Sequence, residues 1–220
     1  MFNDKYGLTK AVLEGRKTMT RRVVPEKLLE AYYDYDDYVN AVAPRDIPCS
    51  REYEEEFFLR RSRYNVGEVV AVAQAYCDIQ EFNPESYEDV MLDDGAICEA
   101  GHPHSNLMMT EGWHNKMFVR AHLMPYRIRI TNVRVERLQD ISDEDCLREG
   151  IYAHTVQLDE TPGVKPYTSY SYNMLPGSNI KRWWFGTPRK AFAALIDKLN
   201  GKGTWTSNPW VFVYEYERVK

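Results

Sequence analysis

No apolar run in this sequence approaches the roughly 18 residues that a membrane span needs. Its opening, MFNDKYGLTK, has no apolar core of the kind a signal peptide carries. Both absences predict a cytoplasmic protein with no membrane partner. Cysteine is scarce as well. Cys49, Cys77, Cys98 and Cys146 are irregularly spaced and form no CxxC pair, so neither a disulfide framework nor a zinc ribbon is indicated and reduced thiols are expected. Positive charge is in deficit, with a formal net charge of −5. A chain that coats nucleic acid non-specifically needs many Lys and Arg contacts to phosphate, so any nucleic-acid contact here must be local. Internal repeats are also missing, and 220 residues with 44% hydrophobic content can bury one substantial core. One domain with insertions is the expected organisation.

What the chain has in plenty is aromatic surface, with 16 Tyr and 5 Trp. Along the sequence, KYGLTKAVLE places Leu8, Ala11 and Val12 at helical spacing, with Gly15 as the stop. GRKTMTRRVV follows and crowds Arg16, Lys17, Arg21 and Arg22 into a turn leading to a strand, the most basic patch in the chain. Residues 26–63 read as an acidic, aromatic, largely helical insertion, through YYDYDDY and EYEEEFF. VGEVVAVAQAY then reads as a turn and a core strand. A second insertion spans residues 77–116. YRIRITNVRVERL alternates Ile128, Ile130, Val133 and Val135 against arginines, with one phase slip at Thr131–Asn132, and reads as a long strand or a hairpin, bulged or not, with a basic outer face. ISDEDCLREGI reads as a short helix capped by Ser142 and stopped by Gly150. Residues 152–186 read as a long loop of lid or binding-loop character, ending in KRWWFG. PRKAFAALIDKLNGKG is a helix opened by Pro188 and closed by Gly201. NPWVFVYEYERV is a final strand, with Trp205 and Trp210 expected in the core.

In this order the first helix, GRKTMTRR, the VGEVV turn, RIRITNVRVERLQDISDEDCLREGI and NGKGTWTSNPWVFVYEYERV resemble ASCH-domain proteins, especially the longer versions found in phages and prophages. The five blocks cover about half of the chain. The resemblance implies an α+β fold of PUA-like type: a small, mixed or antiparallel β-barrel with short helices and long insertions. It implies a pocket for RNA, a nucleotide or a modified nucleoside. A branch of the family is similar to an N4-acetylcytidine amidohydrolase that uses Lys, Thr and Glu; matched by motif, these are Lys17, Thr20 and Glu149. The sequence departs from the family at the strand after the turn, where Gln74 stands in place of a glutamate, and at Glu68, which replaces an aspartate.

The residues have their own chemistry. Lys17 and Thr20 are three apart, close enough in a turn for an amine kept neutral by burial or by neighbouring Arg16 and Arg21 to activate the hydroxyl, with Glu149 accepting a proton or a base-edge amine. Arg16, Arg21, Arg22, Arg127 and Arg129 offer phosphate contacts, and Trp183 and Trp184 offer stacking surfaces for a single-stranded ligand. Cys98, His102, His104 and His114 carry donors that suit zinc, but C-x3-H-x-H with a distant fourth His matches no common site. Neither a metal nor a cofactor is expected. Cys146, on an apolar helix face, reads as a buried small residue. Three functions remain open: a pocketed binder of RNA, nucleotide or nucleoside; an amidohydrolase of acylated nucleosides; and a protein-interaction factor working through the Tyr-rich acidic insertion.

Overall fold

The computed structural model describes residues 2–42, 51–75, 116–156, 167–172 and 184–219. Contacts divide the chain into two compact units, a larger one of Asn3–Glu68 and Arg129–Glu217 and a smaller one of Met1–Phe2, Val69–Ile128 and Arg218–Lys220. The architecture is mixed α+β, with a curled, half-barrel antiparallel sheet and few, mostly short helices. No helix among the described residues is long and apolar enough to cross a membrane.

In the larger unit, α1 (Leu8–Leu13) buries Leu8, Ala11 and Val12, the three residues at i, i+3 and i+4. Gly15, at φ +74°, ends it, and Arg16 and Lys17 both donate backbone N–H groups to Ala11. The chain then enters β1 (Met19–Val23), which pairs antiparallel with β6 (Trp210–Val219) from Met19 opposite Glu215 to Val23 opposite Val211. On the other side of β6 runs β3 (Arg127–Arg137). A central strand is covered on both faces, and Trp210 to Tyr214 are buried without interruption. In β3, Ile128 and Ile130 are buried, Thr131 and Asn132 are both exposed, and burial resumes in the other phase at Val135. The phase slip read from the sequence is therefore a real change of face.

The 26–63 insertion holds α2 (Glu26–Val42) and α3 (Arg51–Leu59). Tyr32 of α2 packs 5.1 Å from Phe58, and Phe58 5.9 Å from Trp210, so aromatic rings anchor the two helices on the start of β6. Short α4 (Asp143–Arg148) is capped by Ser142, whose hydroxyl accepts from the Asp145 N–H at 3.0 Å. Helix α5 (Pro188–Asn200) begins with Thr187 as cap and buries Ala191, Phe192, Leu195 and Ile196; α6 (Thr204–Ser207) follows. The region expected to be one long loop from residue 152 is different. It opens with β4 (Tyr152–Val156), which pairs antiparallel with β5 (Tyr167–Ser171).

In the smaller unit, β2 (Val69–Ala71) is only three residues long. Val72 N–H donates to the Tyr126 carbonyl at 2.9 Å. Gln74, where the ASCH-like pattern has a glutamate, is fully buried, and its Oε1 has no hydrogen-bond partner among the described residues.

Candidate functional site

Lys17 and Glu149 meet in the larger unit, 132 residues apart in sequence. Lys17 sits just past the α1 stop and Glu149 caps the C-terminus of α4, where Gly150 turns the chain at φ +101°. The Lys17 ammonium donates to the Glu149 carboxylate at 2.5 Å and to the Glu149 backbone carbonyl at 2.8 Å, completing one of the end carbonyls of α4. Lys17 is 2% exposed and Glu149 4%. Burial, which penalises the ammonium, sets the direction for Lys17 and holds its pKa below the usual lysine value. Glu149 opposes that shift, while Arg22 and Arg21 reinforce it.

Arg21 joins the same carboxylate at 3.2 Å and also binds Glu136 at 2.7 Å and Asp145 at 2.9 Å. From there the network spreads. Arg134 of β3 donates to Glu136, Asp145 and Glu215, and Arg148 donates to Glu215 at 2.6 Å and to Asp145. Lys17, Arg21, Arg134 and Arg148 thus face Glu136, Asp145, Glu149 and Glu215, and their formal charges cancel. Burial alone would lower the Arg21 pKa and raise that of Glu215. Carboxylates led by Glu149 push Arg21 up instead, and hydrogen bonds led by that from Arg148 hold Glu215 down. This network ties β1, β3 and β6 to α4.

The other expected site residues fall in different places. Thr20 alternates with Met19 and Arg21 on β1 and lies half-buried on the opposite face. The Lys17 amine, expected to reach the Thr20 hydroxyl, is held by Glu149 instead. Arg21, expected to contact phosphate, is buried among carboxylates, whereas Arg22 is exposed. Arg127, in the smaller unit, is exposed, and Arg129 is exposed and pairs with Glu217 at 3.3 Å. Trp183 lies outside the described residues, as do Cys98, His102, His104 and His114. Among the described residues, no group of His, Cys, Asp or Glu is arranged to hold a metal.

Arg16 and Trp184 come together through two residues that the sequence reading passed over. The Arg16 guanidinium lies 4.1 Å from the Tyr152 ring centroid and donates to the Tyr152 hydroxyl. Tyr152 and His154 alternate on one face of β4 and stack at 5.9 Å and 24°. The edge of His154 meets Trp184 at 5.0 Å and 83°. Trp184 is positioned by Phe185, whose backbone exchanges two 2.9 Å hydrogen bonds with Tyr170 of β5. Across the strand pair, Ser171 stands opposite Tyr152 and Ser169 opposite His154, small residues that leave room for the rings. His154 Nε2 lies 3.0 Å from the Ser171 hydroxyl. The row Arg16, Tyr152, His154, Trp184 ends in an indole that is 45% exposed.

Ser169 is buried and its hydroxyl has no hydrogen-bond partner among the described residues. A buried unpaired hydroxyl costs about 1–3 kcal/mol, so Ser169→Ala is expected to unfold at the same or slightly higher temperature than the parent. A clear loss of thermal stability would show that the hydroxyl is satisfied in solution.

Cys146 is fully buried on α4, and its thiol is pushed up to about 12, chiefly by burial. The folded chain keeps this proton where the unfolded chain, titrating near 9, loses it. The resulting stability is complete below pH 9 and declines as the pH rises towards the folded value. Between pH 9 and 10 the parent should lose about 1 kcal/mol that Cys146→Ala does not lose, as measured by denaturant unfolding at each pH.

No family model, no curated protein and no solved structure matches this chain.

Proposed function

We propose that this chain binds a nucleobase-bearing ligand, whether single-stranded RNA, a nucleotide or a modified nucleoside, on the Tyr152, His154 and Trp184 row beside Arg16. The exposed end of that row carries the proposal. The half-exposed indole supplies a stacking face for a base, and the His154 and Tyr152 rings behind it lead to the Arg16 guanidinium, a cation that also pairs with Glu14 at 2.7 Å; stacking and a nearby cation are the two elements of sequence-tolerant single-strand binding. A protein of net charge −5 then gains its affinity from this local surface and not from a basic coat. The PUA-like pocket implied by the resemblance to ASCH-domain proteins agrees with this reading. Calorimetric titration with nucleosides and short single-stranded RNAs tests it: binding that His154→Ala weakens supports it, and no binding across the panel refutes it.

A second reading, hydrolysis of an acylated nucleobase, is favoured by the Lys17–Glu149 pair, where burial keeps the amine less basic than usual. In that reaction Glu149 takes a proton from water as the hydroxide attacks the acyl carbon. The acyl C–N bond then breaks, and the leaving amine receives the proton from Glu149, giving the free base and a carboxylic acid that releases its own proton to water. Release of free nucleoside from N4-acetylcytidine, followed by mass-resolved chromatography and lost in Glu149→Gln with fold retained, establishes hydrolysis; unchanged substrate leaves binding alone.

A further inference from the structure

Away from this row, α2 and α3 enclose a cleft of about 510 Å³ lined by Tyr35, Glu56, Phe57, Arg60 and Arg61. That volume is in the range of pockets that take small ligands or inserted side chains. Its walls are already partly filled by the protein's own charges. The Arg61 guanidinium lies 3.8 Å from the Phe57 ring centroid and donates to the Phe57 carbonyl at 3.1 Å. Tyr35 faces Phe57 at 5.3 Å and 31°. At the rim, Arg60 pairs with Glu56 at 2.5 Å, both side chains more than half exposed. The cleft thus presents two rings, Tyr35 and the buried Phe57, with a carboxylate at its edge, and the chain's own Arg61 lies over Phe57.

The charge around it decides what would enter from outside. Helix α2 carries Glu26, Glu30, Asp34, Asp36 and Asp37 against a single Lys27, and α3 carries four glutamates against Arg51; with Arg60, Arg61 and Arg63 behind α3, residues 26–63 still hold ten acidic side chains against six basic ones. Tyr33 and Tyr38 stand 58% and 64% exposed on α2. An acidic surface set with exposed rings attracts cationic partners and repels phosphate backbones.

We propose that the α2–α3 cleft receives an arginine side chain from a basic segment of a partner protein, which stacks on Phe57 and Tyr35 in place of Arg61 and pairs with Glu56. Arginine is preferred to lysine because a planar guanidinium stacks on a ring and binds a carboxylate in a fork. The site is independent of the nucleobase row.

Fluorescence anisotropy of a labelled Gly-Arg repeat peptide on the full chain tests the proposal, with lysine and glutamate repeats of equal length as controls. The arginine peptide binds best. Tyr35→Ala weakens it by about three- to fivefold, the worth of one exposed cation–π contact. Arg61→Ala, which uncovers Phe57, strengthens it by a similar factor, and Trp184→Ala leaves it unchanged. Since Tyr35 and Arg61 are exposed, both variants keep the fold, and thermal melting checks this. The proposal is overturned if the arginine peptide fails to bind, if both cleft variants bind it as the parent does, or if a glutamate peptide or RNA displaces it.

Discussion

Replacing Glu149 by leucine is expected to cost about 3–5 kcal/mol of stability, the usual penalty for removing one partner of a buried ion pair. For a chain of this size the melting temperature falls by about 10 °C. The cost arises because two buried cations lose a partner. Arg21 keeps Glu136 and Asp145, whereas the Lys17 ammonium loses the carboxylate 2.5 Å away and keeps the backbone carbonyl of residue 149 at 2.8 Å. Burial already lowers the Lys17 pKa with the carboxylate in place, so without it the amine is driven further towards the neutral form. The folded state then binds fewer protons than the unfolded state. Stability of Glu149→Leu should therefore rise with pH, up to the unfolded lysine value near 10.4, more steeply than in the parent. Lys17→Met combined with Glu149→Leu removes both charges and should recover most of the loss. Denaturant unfolding of the two single variants and the double variant measures the coupling, and additive losses would show that the two side chains do not support each other.

The second large effect concerns affinity. Trp184→Ala should weaken binding of a short single-stranded RNA by about 5- to 150-fold, because stacking on one aromatic side chain is worth about 1–3 kcal/mol per base. The half-exposed indole carries little of the core, so the melting temperature should stay within about 2 °C of the parent. Trp184→Phe keeps a stacking ring and should retain most of the affinity. An equal loss in both variants would point to shape or hydrogen bonding, and an affinity unchanged in Trp184→Ala would remove the indole from the site.

Local signals in the sequence translated well into elements. The i, i+3, i+4 spacing of Leu8, Ala11 and Val12 with Gly15 behind it, the Ser142 cap and the Pro188 start each act within one helical turn, and each helix forms where those signals stand. The meeting of Lys17 and Glu149 was legible only through family resemblance, since nothing in spacing joins residues 132 positions apart. The rest of the ion-pair network was hidden by its own chemistry. Arg134 and Glu136 alternate on β3 as a solvated strand face does, and only the folded arrangement of β1, β6 and α4 brings Arg21, Glu215 and Asp145 against them. Tyr152 and His154 were missed for another reason. The Pro, Gly and Ser further along made the segment read as loop, although YAHTV has the two-residue period of a strand and that period puts both rings on one face.

Ultraviolet crosslinking of a short single-stranded RNA to the purified chain, with the modified peptide identified by mass spectrometry, tests the central claim most directly. Stacking of bases on the row gives crosslinks at Tyr152, His154 or Trp184, lost in Trp184→Ala. Crosslinks confined to the Arg127–Arg129 stretch, or equal in parent and variant, would contradict it.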